Sequence, residues 1–180
     1  MYPFIRFVGE IVKFRNKPIG LFDPHISTHR CMPWDIDPWM ELNNGRTLTL
    51  YDLARVPYFM RSGAIKLLSD NKWRVTVAGV SVRYRRRITA MEKVTIYSKF
   101  IGWDDRFFYT EQSIWKKNGE CANQVVVRSA IVGDQGIVAP SSLADAYGYE
   151  GKPPALPDWV LNWIEAENSR PWPPENSPLA

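Results

Sequence analysis

The sequence predicts an α+β domain in which a long central helix packs on a curved antiparallel sheet of about five strands. An apolar run with helical spacing begins near Leu42 and continues to Leu68; after Asp70 the apolar period falls to two; and Asn118-Gly119 supplies a tight hairpin turn between two of the later strands. A strand, then a helix, then consecutive antiparallel strands is the order in which helices gather on one side of a sheet. At 180 residues the chain has the length of one ordinary domain.

Taken in order, MYPFIRFVGEIVKFR places Phe4, Phe7, Val8, Ile11 and Val12 at helical spacing, interrupted by Arg6 and Glu10. It is too short to span a bilayer and reads as an amphipathic helix within residues 1–20. Two readings stay open for it: docking on its own domain, or weak contact with a membrane surface aided by Arg6, Lys13 and Arg15. His25 to Met32 is a first strand, ended by Pro33. The helix from Leu42 carries Leu50, Leu53 and Ala54, and Pro57 is expected to kink it or to end its first segment. Val75 and Val77 have one parity and Val80, Val82 and Tyr84 the other, so a bulge is expected at Gly79. Lys93 to Ile101, Phe107 to Trp115 and Ala122 to Val132 complete a meander. Its last strand is apolar on both parities (Val125, Val127, Ile131; Val126, Ala130, Val132), which calls for a cover on each face and suggests a homodimer or homotetramer. Beyond Pro140, Pro157-Asp158 opens a helix with Trp159, Val160, Trp163 and Ile164 on one face, and the segment after Arg170 reads as extended or disordered. The expected division is a helix in 1–20, a main domain in 21–140, and a helix with a Pro-rich tail in 141–180.

Composition narrows the function. Hydrophobic residues at 45% and charged residues at 23% fit a globular protein. A net charge of +4 favours small anionic partners, while the absence of a dense Lys/Arg face argues against nucleic acid. Two cysteines with no secretory leader ahead of them predict no disulfide framework and a cytoplasmic location. Two histidines, with neither HExxH nor paired CxxC, predict no metal site. Gly79-Val80-Ser81-Val82-Arg83 begins like a nucleophile elbow but ends in Arg, and Gly148 to Lys152 lacks the spacing of a phosphate loop. Cys31 and His29, two apart on one strand, form either a thiolate pair or, as single cysteines usually do, a small buried apolar contact.

What remains is Asp35-Ile36-Asp37-Pro38-Trp39-Met40-Glu41-Leu42-Asn43-Asn44-Gly45-Arg46, followed by Tyr51-Asp52-Leu53-Ala54-Arg55. This resembles the pattern D-x-D-x-x-G-H-x-N-N of the hotdog-fold acyl-CoA thioesterases, the 4-hydroxybenzoyl-CoA thioesterase-like superfamily, with the strand before it and the helix after it that the pattern requires. With the meander, the resemblance covers roughly residues 20 to 140. It implies the hotdog fold and hydrolysis of an acyl thioester, on CoA or on an acyl-carrier protein, with no cofactor.

A thioester carbonyl gains negative charge on attack, and free N–H groups at a helix N-terminus stabilise it. Asn43, Asn44 and Gly45 occupy that helix start, with Asn44 and Gly45 as the expected donors. The resemblance makes Asp37 the general base or nucleophile; the alternative is that Asp35 and Asp37 only cap turns. Where the pattern has Gly-His this chain has Met40-Glu41, so Glu41 either takes over as base, shares a proton with Asp37, or marks a non-catalytic acyl-thioester-binding protein. Asp52 matches the position of a helix-borne acid in a second hotdog group, or else pairs with Arg55 one turn on. Arg83, Arg85 and Arg87 fall on one strand face, either to hold CoA phosphates or to protect a sheet edge. A dehydratase would need a catalytic histidine, and His25 and His29 lie outside the helix signature.

Overall fold

The computed structural model describes residues 2–174. It opens with helix α1 (Phe4–Phe14), then strand β1 (His25–Arg30), a single 3-10 turn at Pro33–Asp35, and the central helix α2 (Asn44–Arg61). A short helix α3 (Ala64–Asp70) leads into four long strands, β2 (Arg74–Tyr84), β3 (Lys93–Trp103), β4 (Phe108–Lys116) and β5 (Cys121–Gly133), of which only β3, β4 and β5 form a meander, because β2 pairs with β5 and not with β3. A short strand β6 (Gly136–Val138), helix α4 (Pro140–Tyr147) and helix α5 (Asp158–Ser169) complete it. All strand pairs are antiparallel, in the order β1-β3-β4-β5-β2, with β6 added beside β5. This is the expected fold, a curved sheet with a helix on its concave side.

The face of α2 turned to the sheet carries Thr47, Leu50, Tyr51, Leu53, Ala54, Pro57 and Tyr58, all buried. Their i, i+3, i+4, i+7 recurrence is why this segment is a helix on this sheet. They meet Val94, Ile96, Ile114, Val125 and Val127 from the strands. Tyr58 donates its hydroxyl to the Leu21 carbonyl at 2.6 Å and accepts from the Phe100 N–H at 3.0 Å, so the segment before β1 is tied to β3 through the helix.

Three expectations are corrected. Pro57 neither ends α2 nor divides it; the helix runs on to Arg61, and the break falls at Gly63, whose φ of +82° is open to glycine at little cost. The second cover of the sheet is in part the chain's own: α5 brings Val160, Trp163 and Ile164 onto Tyr109 and Val126 of the convex face, and the Arg128 guanidinium lies 4.6 Å from the Phe107 ring and 5.6 Å from that of Trp163. Two-faced apolarity in β5 therefore does not by itself require another subunit. The segment behind Pro140 also holds α4, which the sequence reading passed over.

The bulge is present, with register shifting between Val77 and Gly79. One extra residue reverses side-chain parity, so Val75, Val77, Val80, Val82 and Tyr84 all end on the concave face, opposite Ile131, Ser129, Val127, Val125 and Asn123. β2 is an edge strand, and Val75, Val77, Val80 and Tyr84 are exposed there. Of the Pro-rich tail, residues 171–174 have no regular structure and 175–180 lie outside the described residues.

Candidate functional site

The loop between β1 and α2 is organised by two aspartates with different tasks. Asp35, with a side chain 1% exposed, receives Arg46 through Nε at 2.9 Å and NH2 at 2.6 Å, Arg6 NH1 at 2.9 Å, and the Met32 N–H at 3.1 Å. Burial pushes its carboxyl upward, but the bonds from Arg46, the Met32 N–H and Arg6 together hold it below the usual carboxylate range. Asp35 thus joins α1, the loop and α2. Asp37 folds the turn that follows: its Oδ1 accepts the Trp39 N–H at 2.9 Å and the Glu41 N–H at 3.4 Å, and its own N–H reaches the Glu41 carbonyl at 2.9 Å. Inside this turn Met40 has φ +62°. That left-handed conformation explains why the related pattern has Gly here and what Met40 costs, on the order of 1 kcal/mol.

Asn43 caps α2, its Oδ1 accepting the Gly45 N–H at 2.9 Å and the Arg46 N–H at 3.2 Å. The Gly45 donor is therefore engaged by the cap, and Asn43 is a capping residue in this geometry. Asn44 lies at the mouth of a cleft of ≈ 330 Å³, whose walls include Glu41, Thr47, Tyr84, Arg85, Arg86, Arg87 and Asn123. This cleft gathers a helix N-terminus, one carboxylate and three guanidinium-bearing residues. Arg87 Nε bonds Glu41 Oε2 at 2.8 Å and Arg86 Nε bonds Glu120 Oε1 at 3.0 Å. Arg85 has no carboxylate partner among the described residues. Tyr51 braces the floor by donating to Asn123 Oδ1 at 2.5 Å.

The three arginines read from the sequence as one face do not stay together. β2 ends at Tyr84, and the N–H groups of Arg85 and Arg86 both converge on the Ala122 carbonyl at 2.9 Å, so the alternation that aligned them stops there. Arg85 and Arg87 enter the cleft, and Arg86 joins them. Arg83 instead lies with Ser81, Gln124 and Trp159 at a separate depression. Asp37 sits in the turn behind Glu41 and is not among the cleft walls. Asp52 is one helical segment further along, paired with Arg55, whose NH1 reaches Gln112 Oε1 at 3.2 Å; Gln112 in turn donates to Ser98 Oγ at 2.8 Å. Burial raises the Asp52 carboxyl above its usual range, against the pull of Arg55.

The remaining candidates are structural in their surroundings. Cys31 is fully buried and its thiol is pushed up to about 11, mainly by burial, so it is no thiolate at neutral pH. His29 is buried with Nε2 at 2.8 Å from Ser27 Oγ, and its pKa falls to about 3, first through burial and then through Arg6. His25 contacts Arg61 at 2.8 Å and falls to about 4, for burial and Arg61 in that order. Sequence reading missed Tyr84, Thr47 and Asn123 as cleft walls. Asn123 alone had a signal, a polar side chain on the inward parity of β5 that Val125 and Val127 share.

A model of the thioesterase-like superfamily matches residues 31–164, most of the chain. Among curated proteins, "Protein THEM6" of Xenopus laevis is 28% identical over 169 residues, covering 92% of this chain and 80% of that one. Among solved structures, the probable thioesterase YbaW of Escherichia coli superposes with a TM-score of 0.65 at 17% identity, covering 71% of this chain and 99% of that one. The DHNA-CoA thioesterase of Staphylococcus aureus does so with a TM-score of 0.56 at 16% identity, covering 81% and 91%. At such identities the two structures speak for the hotdog fold alone.

Proposed function

The chain belongs to the thioesterase-like superfamily, and on that premise we propose that its α2 cleft hydrolyses an acyl thioester carried on a phosphate-bearing thiol such as CoA. The observation that carries this reading is the convergence of Glu41, the α2 N-terminus and Arg85 to Arg87 on one cleft. Glu41 takes a proton from water as the water oxygen bonds to the carbonyl carbon. The oxyanion so formed faces the positive end of α2. The C–S bond then breaks, and the departing thiolate receives the proton from Glu41, leaving free acid and thiol. Asp37 holds the turn that presents Glu41, Arg87 orients Glu41, and Arg85 and Arg86 take the phosphates, for which forked guanidinium groups are well shaped. An acyl-carrier protein, with its phosphopantetheine arm, is the other substrate of this chemistry. The experiment is thiol release from short, long and aromatic acyl-CoAs, with E41Q beside the parent; release on none of them removes the proposal.

A second reading is a protein that binds acyl thioesters without cleaving them. It is favoured by the Arg87–Glu41 ion pair, which occupies the carboxylate that would act on water. Retained CoA-ester affinity without thiol release selects it. The working form in both readings is a homodimer joined through the β2 edge, whose outer side pairs with no strand among the described residues and whose exposed Val75, Val77, Val80 and Tyr84 call for a partner.

A further inference from the structure

Helix α1 is apolar on two faces, and the domain uses only one. Phe14 is buried and Phe7 packs against the core, while Arg6 locks the helix to Asp35 and to the Arg30 carbonyl at 2.9 Å. The opposite stripe, at i, i+1, i+4 and i+8, is Phe4, Ile5, Val8 and Val12, with exposures of 66%, 90%, 56% and 54%. Trp34, 64% exposed, extends it, since Trp34, Phe4 and Ile5 line one groove of ≈ 500 Å³. A surface helix that served only its own domain would place polar residues on this side.

The basic excess of the segment that carries the stripe identifies what covers it. Residues 2–22 hold four basic residues, Arg6, Lys13, Arg15 and Lys17, against one acidic residue, Glu10. At the C-terminal end of α1, Lys13 Nζ lies 4.8 Å, Lys17 Nζ 5.6 Å and the Arg61 guanidinium 5.2 Å from the Phe14 ring. Of these, Lys13 is offset by Glu10 at 3.3 Å, and Arg61 is half-buried. A second copy of the chain laid on this stripe, parallel or antiparallel, would bring no acidic side chain of its own α1 except Glu10, already paired with Lys13, and so would leave the basic cluster unneutralised. An anionic surface instead satisfies both features.

We propose that α1 is an interfacial membrane-binding helix, which lays Phe4, Ile5, Val8 and Val12 into the surface of an anionic phospholipid bilayer while Arg15 and Lys17 meet its phosphates. The helix lies in the plane of the interface with its apolar stripe at the acyl boundary, and Trp34 sits at headgroup depth, where indole rings are favoured. The domain, held to the helix by Arg6 and Phe14, stays in the water layer. No step of thioester chemistry enters this proposal, so it stands or falls apart from the hydrolytic reading.

Sedimentation of the full chain with phosphatidylcholine vesicles, with and without one quarter phosphatidylglycerol, tests it. Binding is expected on the anionic vesicles and is expected to weaken as salt rises. R15Q/K17Q should lower the partition coefficient by about twenty-five-fold, roughly fivefold for each charge removed. I5S/V8S should lower it by about a hundredfold, roughly tenfold for each embedded side chain lost, with an unchanged circular dichroism spectrum. Absence of parent binding to anionic vesicles, equal binding to neutral ones, or indifference to both double variants overturns the proposal. A halving of solution mass in I5S/V8S, read by light scattering, also overturns it, because the stripe would then be a contact between copies.

Discussion

Asp35→Asn removes a charge while preserving shape, and the surroundings of Asp35 set what that should cost. The carboxylate accepts four bonds, with Arg46 on one oxygen and Arg6 and the Met32 N–H on the other. An asparagine keeps one carbonyl oxygen and turns an NH2 group toward the second set, so about two bonds are lost, one of them to a guanidinium. A hydrogen bond to a charged group contributes roughly 1.5–3 kcal/mol, and breaking a buried ion pair costs about 3–5 kcal/mol. Because Arg6 and Arg46 keep side-chain exposures of 21%, water relieves part of the loss and about 3 kcal/mol is expected. For a chain of this size that corresponds to a fall in Tm of roughly 6–12 °C. Urea titration at pH 7, with an unchanged m-value, reads it. The pH dependence follows from the depressed carboxyl. Its folded pKa lies below its unfolded value near ~3.9, so the stabilisation is complete above that value and is lost as pH falls through the folded pKa. The gap between parent and variant should stay constant from neutral pH down to about 5 and close below about 4. A loss under about 1 kcal/mol at pH 7, or a gap undiminished at pH 3, refutes this account of the loop.

Four further outcomes are expected. Glu41→Gln should lower turnover by about 10² to 10⁴ with little change in KM, and Asp37→Asn should cost less, because only Glu41 lines the cleft; steady-state kinetics on the best acyl-CoA would reverse the assignment if Asp37→Asn cost more. Met40→Gly should stabilise the fold by roughly 0.5–1 kcal/mol by relieving φ +62°; an unchanged denaturation midpoint would mean that the turn is not strained. Arg85→Gln should raise KM for CoA esters at low salt and lose that effect at high salt, whereas Arg83→Gln, on the other depression, should leave KM unchanged. Val77→Lys, on the exposed β2 edge, should halve the solution mass at micromolar concentration, as sedimentation equilibrium would register; a parent that is monomeric from the start rules out the β2 dimer.

The sequence made most of the fold legible because its strongest signals are local and periodic. The helical run over Leu42 to Leu68, the Gly79 bulge and the Asn118-Gly119 turn each depend on residues within one window; the bulge and the turn appear in place, and the run appears as α2 and α3 broken at Gly63. Pro57 does not end the helix; burial of Leu53, Ala54 and Tyr58 around it sustains the helix, and Gly63 ends it. Helix α4 carried punctuation at both ends, Pro140 at its first turn and Gly148 with φ +67° after its last. The convex cover by α5 was out of reach, because a helical stripe such as Val160, Trp163 and Ile164 does not say which surface it seeks.

The site was legible as a motif and illegible as an arrangement, and Arg83, Arg85 and Arg87 show why. Alternation assigns side chains to faces only while a strand continues. At Tyr84 the ladder ends, and two consecutive N–H groups turn to one carbonyl, so Arg85, Arg86 and Arg87 gather where strict alternation would separate them. The same holds for Asp37 and Glu41. Two carboxylates four residues apart have no fixed relation along an open chain. Here the Asp37 side chain is turned inward to the N–H groups of Trp39 and Glu41, and that turn delivers Glu41 to the cleft. Replacement of the pattern's Gly-His by Met-Glu thus has two separable consequences. Met40 takes a left-handed conformation that costs a side chain some strain, and Glu41 brings a carboxylate to the helix N-terminus. A neutral imidazole there can donate a hydrogen bond as well as accept a proton, whereas an ionised carboxylate only accepts, so the change replaces a group able to donate with a negative acceptor beside the positive end of α2.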